Sequence, residues 1–161
     1  MISKKVILTG SFGVGKTSLF NRFIYSIFSE KYLTTIGVKV NKKTVQIDDH
    51  DLTMLIWDIA GEVTQDKVPV SYFLGTSGIV YVFDLTRPTT TKNLTADLEY
   101  LRKMVPNVTI KVVGNKKDLV TPEQITEFLK ENNVYDDALT SAKSGEGVEE
   151  MFMELGRDML L

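Results

Sequence analysis

The sequence predicts an α/β fold in which a mainly parallel sheet is covered by helices. Runs of β-branched and apolar residues alternate with amphipathic helical repeats along the whole chain. Two of the strand patterns are apolar on both faces, as the central strands of a parallel sheet are. With 161 residues, the chain is long enough for one substantial hydrophobic core and short for two. We therefore expect a single domain over residues 1–161.

The first half of the chain predicts three strands and one helix. Residues 6–9 form an apolar strand pattern, and a helix is expected over 16–25. Residues 38–47 and 52–57 are strand patterns separated by a polar turn at 48–51. Two strands joined in this way predict an antiparallel hairpin at one edge of the sheet.

The second half predicts the remaining strands and helices. Residues 78–83 and 110–114 are the two patterns that are apolar on both faces, and a short strand is expected within 134–139. Helical spacing of apolar residues appears around Leu94, Leu98 and Leu101, and again within 148–160. Thr121 followed by Pro122 predicts the start of another helix, because Thr is a good N-cap and Pro suits the first turn.

Composition and charge exclude several classes of function. The formal net charge of −2 argues against a protein that binds nucleic acid through phosphate neutralisation. The chain has no cysteine, which excludes disulfides, thiolate zinc sites and thiol catalysis. The sequence shows no signal peptide, no long apolar run and no lipidation motif. We expect a cytoplasmic monomer without a membrane anchor of its own.

The most informative motif is the glycine-rich run that extends from Gly10 to Thr17. It follows a predicted strand, precedes a predicted helix and has the spacing G-x-x-x-x-G-K-T. Backbone amides in such a loop, with the positive end of the helix, bind phosphate oxygens. Lys16 can reach the β- and γ-phosphates, and the Thr17 hydroxyl can bind Mg²⁺.

A second motif, D-x-A-G, ends the strand pattern of residues 52–57. A carboxylate at the C-terminal end of a sheet strand lies where α/β proteins bind ligands, so Asp58 can hold Mg²⁺. Gly61 can bring a backbone amide close to a γ-phosphate because it has no Cβ. An ordinary turn at the end of a strand is the alternative interpretation.

Two further motifs follow later strands and concern the base. In the segment 115–118, Asp118 can accept two hydrogen bonds from guanine, whereas adenine has no matching pair of donors. The stem of Lys116 can pack over the base plane, and Asn115 can connect this segment to the phosphate loop. The segment 140–143 can contribute a backbone amide to the guanine carbonyl. Each of the two could by itself be a plain loop.

Taken together, the motifs resemble those of Ras-superfamily small GTPases, most closely the Rab branch. The resemblance covers nearly the whole chain and includes residues 10–17, 34–38, 57–61, 115–118 and 141–143. It implies a P-loop G domain with a six-stranded, mostly parallel sheet, one antiparallel edge strand and about five flanking helices. It also implies GTP or GDP and Mg²⁺ as ligands.

The resemblance implies a role for each matching residue. Switch loops are expected at about 27–38 and 61–74, and they are the expected binding surface for effectors, exchange factors and activating proteins. Lys16, Thr35, Gly61 and Glu62 match catalytic positions, and Thr17, Thr35 and Asp58 match magnesium ligands. The nucleotide-binding positions are Gly13, Val14, Gly15, Lys16, Thr17, Ser18, Phe28, Asn115, Lys116, Asp118, Ser141, Ala142 and Lys143.

Two positions depart from the family pattern near the γ-phosphate, and a third departs from it in the second switch. Glu62 occupies the place of the glutamine that orients the attacking water. Phe12 replaces a small residue, so its ring either covers the γ-phosphate or points outward. Pro69 is expected to interrupt or begin a helix in the second switch. Glu62 and Phe12 together predict slow GTP hydrolysis, whereas Pro69 predicts a second switch that differs from the family's. A non-catalytic GTP-binding module and a P-loop kinase or ATPase are the alternatives. Arg87 is interpreted as a surface residue.

Overall fold

The computed structural model describes residues 2–28, 37–62 and 64–161. Six strands form one sheet in the order β2-β3-β1-β4-β5-β6. Among the described strands, only the pairing of β2 with β3 is antiparallel, and β2 lies at the sheet edge. The predicted fold is therefore confirmed. The strands are β1 (Ile2–Gly10), β2 (Val38–Ile47), β3 (His50–Ile59), β4 (Thr76–Asp84), β5 (Thr109–Asn115) and β6 (Ala138–Leu139).

Helices cover both faces of this sheet. The described residues contain four α-helices together with short 3₁₀ helices, the latter at Gln65–Lys67, Val70–Phe73, Pro88–Thr91 and Lys117–Leu119. Helix α3 begins with the predicted cap, in which Thr121 accepts from the Gln124 amide and Gln124 bonds back to the Thr121 amide. The α-helices are α1 (Lys16–Tyr25), α2 (Leu94–Met104), α3 (Pro122–Glu131) and α4 (Val148–Met159).

The hydrophobic core has two layers because alternate residues of the central strands face opposite sides. Val80 and Val82 of β4 pack with α1 and α4, where the rings of Phe23 and Phe152 stack 4.0 Å apart. Residues of β4 with the opposite orientation, such as Phe83, pack with α2 and α3 on the other face. Burial on both faces explains why this strand is a continuous apolar run.

Some strands differ in length from the sequence-based expectation. Strand β1 begins at Ile2 rather than at residue 6, and its early half alternates between exposed and half-buried residues. Strand β6 is limited to Ala138–Leu139, although the apolar pattern extends over 134–139. The backbone amide of Asp137 bonds to the Val112 carbonyl at 2.7 Å, which brings the chain to β5 just before β6 begins.

The parallel arrangement places the C-terminal ends of β1, β3, β4 and β5 at one edge of the sheet. Leu8 of β1 is in register with Asp58 of β3, and Asp84 of β4 is in register with Asn115 of β5. Polar residues that are far apart in the sequence therefore meet at this edge. In open α/β sheets, ligands bind at this edge.

Candidate nucleotide-binding site

The turn between β1 and α1 has the backbone of an anion-binding loop. Gly10, Gly13 and Gly15 adopt positive φ angles of 143°, 76° and 101°. A Cβ at Gly15 would collide with the side-chain amide nitrogen of Asn115, so no other residue fits there. Helix α1 begins at Lys16, and its first free N–H groups face the same turn. Such a loop at a helix N-terminus binds anions.

Three consecutive carbonyl groups of this loop are held by side chains from other parts of the chain. Since the described peptide bonds are all trans, each carbonyl is opposite to the N–H of the next residue. Holding the carbonyls therefore also fixes the direction of the amides that follow them. The pairs are Arg87 Nη2 with Phe12 O at 3.1 Å, Lys116 Nζ with Gly13 O at 2.9 Å and Asn115 Nδ2 with Val14 O at 3.0 Å.

Lys16 directs its ammonium group back across the loop. The Nζ atom donates to the carbonyl oxygens of Gly10 at 3.1 Å and Ser11 at 2.7 Å. Burial lowers the pKa of Lys16 to about 8, and the nearby Asp58 carboxylate partly offsets that effect. The lysine charge is thus held inside the loop and costs desolvation energy until an anion accompanies it.

Thr17 and Asp58 form a pair of hard oxygen ligands beside the loop. The Thr17 hydroxyl donates to Asp58 Oδ2 at 2.7 Å, and both side chains are buried. A carboxylate and a hydroxyl from the first turn of a helix are ligands of the kind that Mg²⁺ binds together with phosphate oxygens. The residues therefore fit a magnesium ion. The third predicted ligand, Thr35, lies outside the described residues.

On the base side, Asn115 connects three segments. Its Oδ1 atom accepts from Thr140 Oγ1 at 3.0 Å and from the Ala142 amide at 3.3 Å, while its Nδ2 atom binds the phosphate loop. Only 2% of Asn115 is exposed. A single buried side chain therefore fixes the phosphate loop relative to the segment 140–143.

The predicted base-reading residues lie together at the same edge. Asp118 is exposed to solvent, and its Oδ1 atom accepts from the Ser141 hydroxyl at 2.8 Å. Ser141 is buried, whereas Lys143 is exposed. The carbonyl oxygens of Ala142 and Lys143 both accept from the Arg22 guanidinium of α1. The segment is thereby anchored to the helix that begins at the phosphate loop.

Comparison with known sequences decides the family. A sequence model of the Ras family matches residues 5–161.

The chain belongs to the Ras family. It is 36% identical to Ras-related protein Rab-4 of Dictyostelium discoideum, over 97% of this chain and 78% of that protein. It is also 36% identical to Ras-related protein RABA1h of Arabidopsis thaliana, over 94% of this chain and 72% of that protein. These relatives place it in the Rab branch. It is therefore a small GTPase of a family that binds guanine nucleotides.

Around the expected γ-phosphate position, this Ras-family protein brings two backbones very close. A Cβ at Gly61 would lie 2.5 Å from the Cα atom of Phe12, so only glycine fits. The next residue, Glu62, is half-buried. Phe12 is 52% exposed, and this favours an outward orientation of its ring over one in which the ring covers the phosphates.

The segment predicted as the second switch is interrupted at Pro69, as expected from the sequence. Two 3₁₀ helices, Gln65–Lys67 and Val70–Phe73, replace a continuous helix. Val68, which precedes the proline, has an extended ψ of 133°. Proline disfavours a helical conformation in the residue before it, and this explains the break.

Two functional candidates were missed in the sequence interpretation. Asp84, at the end of β4, is fully buried and pairs with Lys116 at 2.8 Å and with Arg87 at 3.6 Å. Arg87 is partly exposed, as a surface residue is, but its guanidinium contacts the phosphate loop. The position of Asp84 directly after a central strand was a usable signal, because strand ends at this edge face the ligand.

The remaining predicted residues are placed as follows. Phe28 is half-buried and packs against the core layer of α1 and α4, and Ser18 is half-buried in the first turn of α1. Gly37, which follows the undescribed part of the first switch, accepts from the Ala60 amide at 2.8 Å. No described helix combines the length and apolar character needed to cross a membrane.

Proposed function

We propose that residues 1–161 form one G domain that binds magnesium-GTP and magnesium-GDP and hydrolyses GTP slowly. Its nucleotide state is signalled through switch loops at about 27–38 and 61–74. The observation that carries this proposal is the buried link through Asn115. That side chain joins the phosphate loop to the segment 140–143, so the phosphate and base sides form one site.

The phosphate side supplies positive charge and amide donors. The amides of residues 13–18 face the nucleotide phosphates, and Lys16 exchanges its carbonyl contacts for β- and γ-phosphate oxygens. Thr17, Asp58 and the first-switch Thr35 hold the magnesium ion, which neutralises phosphate charge. Gly61 and Thr35 respond to the γ-phosphate, so the ordered switches report on GTP.

The base side supplies specificity for guanine. Asp118 accepts hydrogen bonds from the ring N–H and the exocyclic amine of guanine. The Ser141 hydroxyl, 2.8 Å from Asp118 Oδ1, keeps the Asp118 carboxylate in place. Lys116 lays its stem over the base while its ammonium is held by Asp84 and Gly13. Phe28 stands edge-on to the base, and the Ser141–Lys143 backbone meets the guanine carbonyl. ATP would leave Asp118 facing no donor pair.

Slow hydrolysis follows from the residues beside the γ-phosphate. Glu62 carries a carboxylate where an amide would orient the attacking water, and the γ-phosphate repels it. The outward ring of Phe12 does not cover the γ-phosphate; it would obstruct an arginine finger from an activating protein and so limit stimulated hydrolysis. Ground-state binding groups are present, whereas the water-orienting group is replaced.

The same substitution favours a second candidate function. A GTP-binding module without hydrolysis would keep Lys16, Thr17 and Asp58 for binding and would not need a glutamine at position 62. Its whole activity would be to present one nucleotide state to a partner. Either way, we propose a cytoplasmic monomer whose effectors, exchange factor and activating protein bind through the switch loops, without nucleic acid.

The proposed binding function is tested by competition titration of a fluorescent GDP analogue with GDP, GTP and ATP in the presence of Mg²⁺. Displacement by both guanine nucleotides at concentrations at least about 100-fold below ATP is expected, because two charge-assisted hydrogen bonds distinguish the bases. Equal displacement by ATP would contradict guanine specificity. Single-turnover incubation of protein loaded with GTP separates the two candidates, since slow appearance of GDP indicates hydrolysis and its absence indicates a non-catalytic module.

A further inference from the structure

A buried polar network lies behind the second switch and is not used by the nucleotide-binding groups described above. It consists of Thr9 of β1, Gln65 of the switch, Tyr81 of β4 and Asp97 of α2, and we refer to these four residues as the clasp. None of the four is more than 4% exposed. Buried polar groups of this kind are retained only when they are hydrogen-bonded.

Each hydrogen bond of the clasp joins two different elements of the fold. The Thr9 hydroxyl donates to Gln65 Oε1 at 2.8 Å, and the Gln65 backbone amide donates to Asp97 Oδ1 at 3.0 Å. The other carboxylate oxygen, Oδ2, accepts from the Tyr81 hydroxyl at 2.6 Å. Gln65 is therefore held at its side chain by the strand that leads into the phosphate loop and at its backbone by α2.

The chain on the C-terminal side of Gln65 is also fixed. Val68 and Phe73 are buried in the core layer of α2 and α3. The ammonium of Lys5 donates to the carbonyl oxygens of Tyr72 and Leu74. Lys5 belongs to β1, so the chain after Gln65 is anchored to the same strand that holds the Gln65 side chain.

Opening the clasp would be costly. Separating Gln65 from Asp97 without a substitute partner would leave two buried groups unsatisfied, a carboxylate oxygen and a backbone amide. The contact that a γ-phosphate would make with the Gly61 amide is one hydrogen bond. A single such contact is therefore insufficient to remove Gln65 from its position.

We propose that Gln65 and Asp97 are positioning residues that hold residues 65–68 in the same place in both nucleotide states. The response of the second switch to the γ-phosphate then begins upstream of Gln65, and the clasp limits how far Glu62 can move. This inference rests on the proposed nucleotide binding. Chromatography of the bound nucleotide tests that binding separately. Failure of the nucleotide-binding proposal is therefore distinguishable from failure of the clasp proposal.

The test is amide hydrogen exchange by NMR on protein bound to GDP and to the non-hydrolysable analogue GMPPNP. The amides read out are those of Gln65, which bonds to Asp97, and of Val68, which bonds to the Gln65 carbonyl. In the wild type, we expect their protection to agree within about threefold between the two states, because the clasp stays closed. A difference of tenfold or more would overturn the proposal.

The variant Asp97→Ala is expected to lower protection at Gln65 at least about tenfold and to make it differ between the two states. Asp97→Asn is the matched control, because its amide oxygen can still accept from Gln65 and its NH₂ group can donate to Tyr81; it should behave as the wild type. Equal loss of protection in both states and throughout β4 would mean that Asp97 is merely structural and would overturn the proposal. Protection at Gln65 that is unchanged in Asp97→Ala would also overturn the proposal.

If Asp97→Ala fails to fold, Thr9→Val takes its place. It keeps the shape of the side chain and removes only the bond to Gln65 Oε1. We expect a loss of protection of about threefold at Gln65 that differs between the GDP and GMPPNP states. Protection equal to the wild type in both states would contradict the proposal.

Discussion

The two ends of the nucleotide site differ in how completely the protein prepares them. On the base side, Asn115, Ser141 and Lys116 already have hydrogen-bond partners within the protein, and each partner lies on a different segment from the residue that it binds. On the γ-phosphate side, Glu62 and Phe12 depart from the pattern of the Ras family, and the predicted ligand Thr35 lies outside the described residues. The difference illustrates that groups which bind the ground state and groups which stabilise the transition state can be separate.

The largest effect is expected from the base side, in Asp118→Asn. The amide keeps one acceptor and introduces a donor that faces the guanine N–H groups, so GDP affinity should fall about 100-fold or more. Affinity for xanthosine diphosphate should rise, because that base offers an acceptor to the new NH₂ group. Isothermal titration with both nucleotides measures the change. An unchanged preference for guanine would remove Asp118 from base reading.

Magnesium removal tests the centre of the site. Chelation with EDTA should accelerate GDP release by about tenfold or more, because phosphate charge is then neutralised only by Lys16 and the loop amides. Thr17→Val removes the hydroxyl and keeps the side-chain shape, so it should release GDP faster and respond less to EDTA. Stopped-flow release of a fluorescent GDP measures both.

Thr44→Val is the matched control for the magnesium experiment. It removes the same hydroxyl from β2, where Thr44 bonds with Thr53 at 2.9 Å. Its release rate and its response to EDTA should equal those of the wild type. A response of Thr17→Val to EDTA as large as that of the wild type would exclude Thr17 as a ligand.

A smaller effect is expected outside the phosphate loop, in Arg87→Ala. The loss of its bond to the Phe12 carbonyl should weaken the loop by about 1–1.5 kcal/mol and accelerate GDP release about five- to tenfold. Arg102→Ala, an exposed arginine of α2, is the control and should have no effect. If both variants release GDP at the wild-type rate, Arg87 plays no part in holding the loop.

The sequence predicted those parts of the site in which the relevant residues are close together in the chain. The spacing from Gly10 to Thr17 specifies both the loop and the helix that follows, and Pro69 by itself explains the break in the second switch. Local chemistry also decided where helix α3 begins, since Thr121 and Gln124 form its cap.

The remaining contacts could not be read from the sequence because they join distant residues. Arg87 and Phe12 are 75 positions apart, and Asp97 and Gln65 are 32 apart. Neither pair belongs to a motif, and a polar residue such as Gln65 is normally expected at the surface. Only the three-dimensional register of β1, β4 and α2 brings these groups together.

The contrast between the base side and the γ-phosphate side depends most directly on Glu62. Single-turnover hydrolysis of bound GTP, measured for the wild type and Glu62→Gln under the same magnesium concentration, tests it. We expect slow hydrolysis in the wild type and an increase of about tenfold or more in the variant, because an amide at this position can orient the attacking water without repelling the γ-phosphate. No increase, or a wild-type rate equal to that of a glutamine-containing relative, would contradict the account.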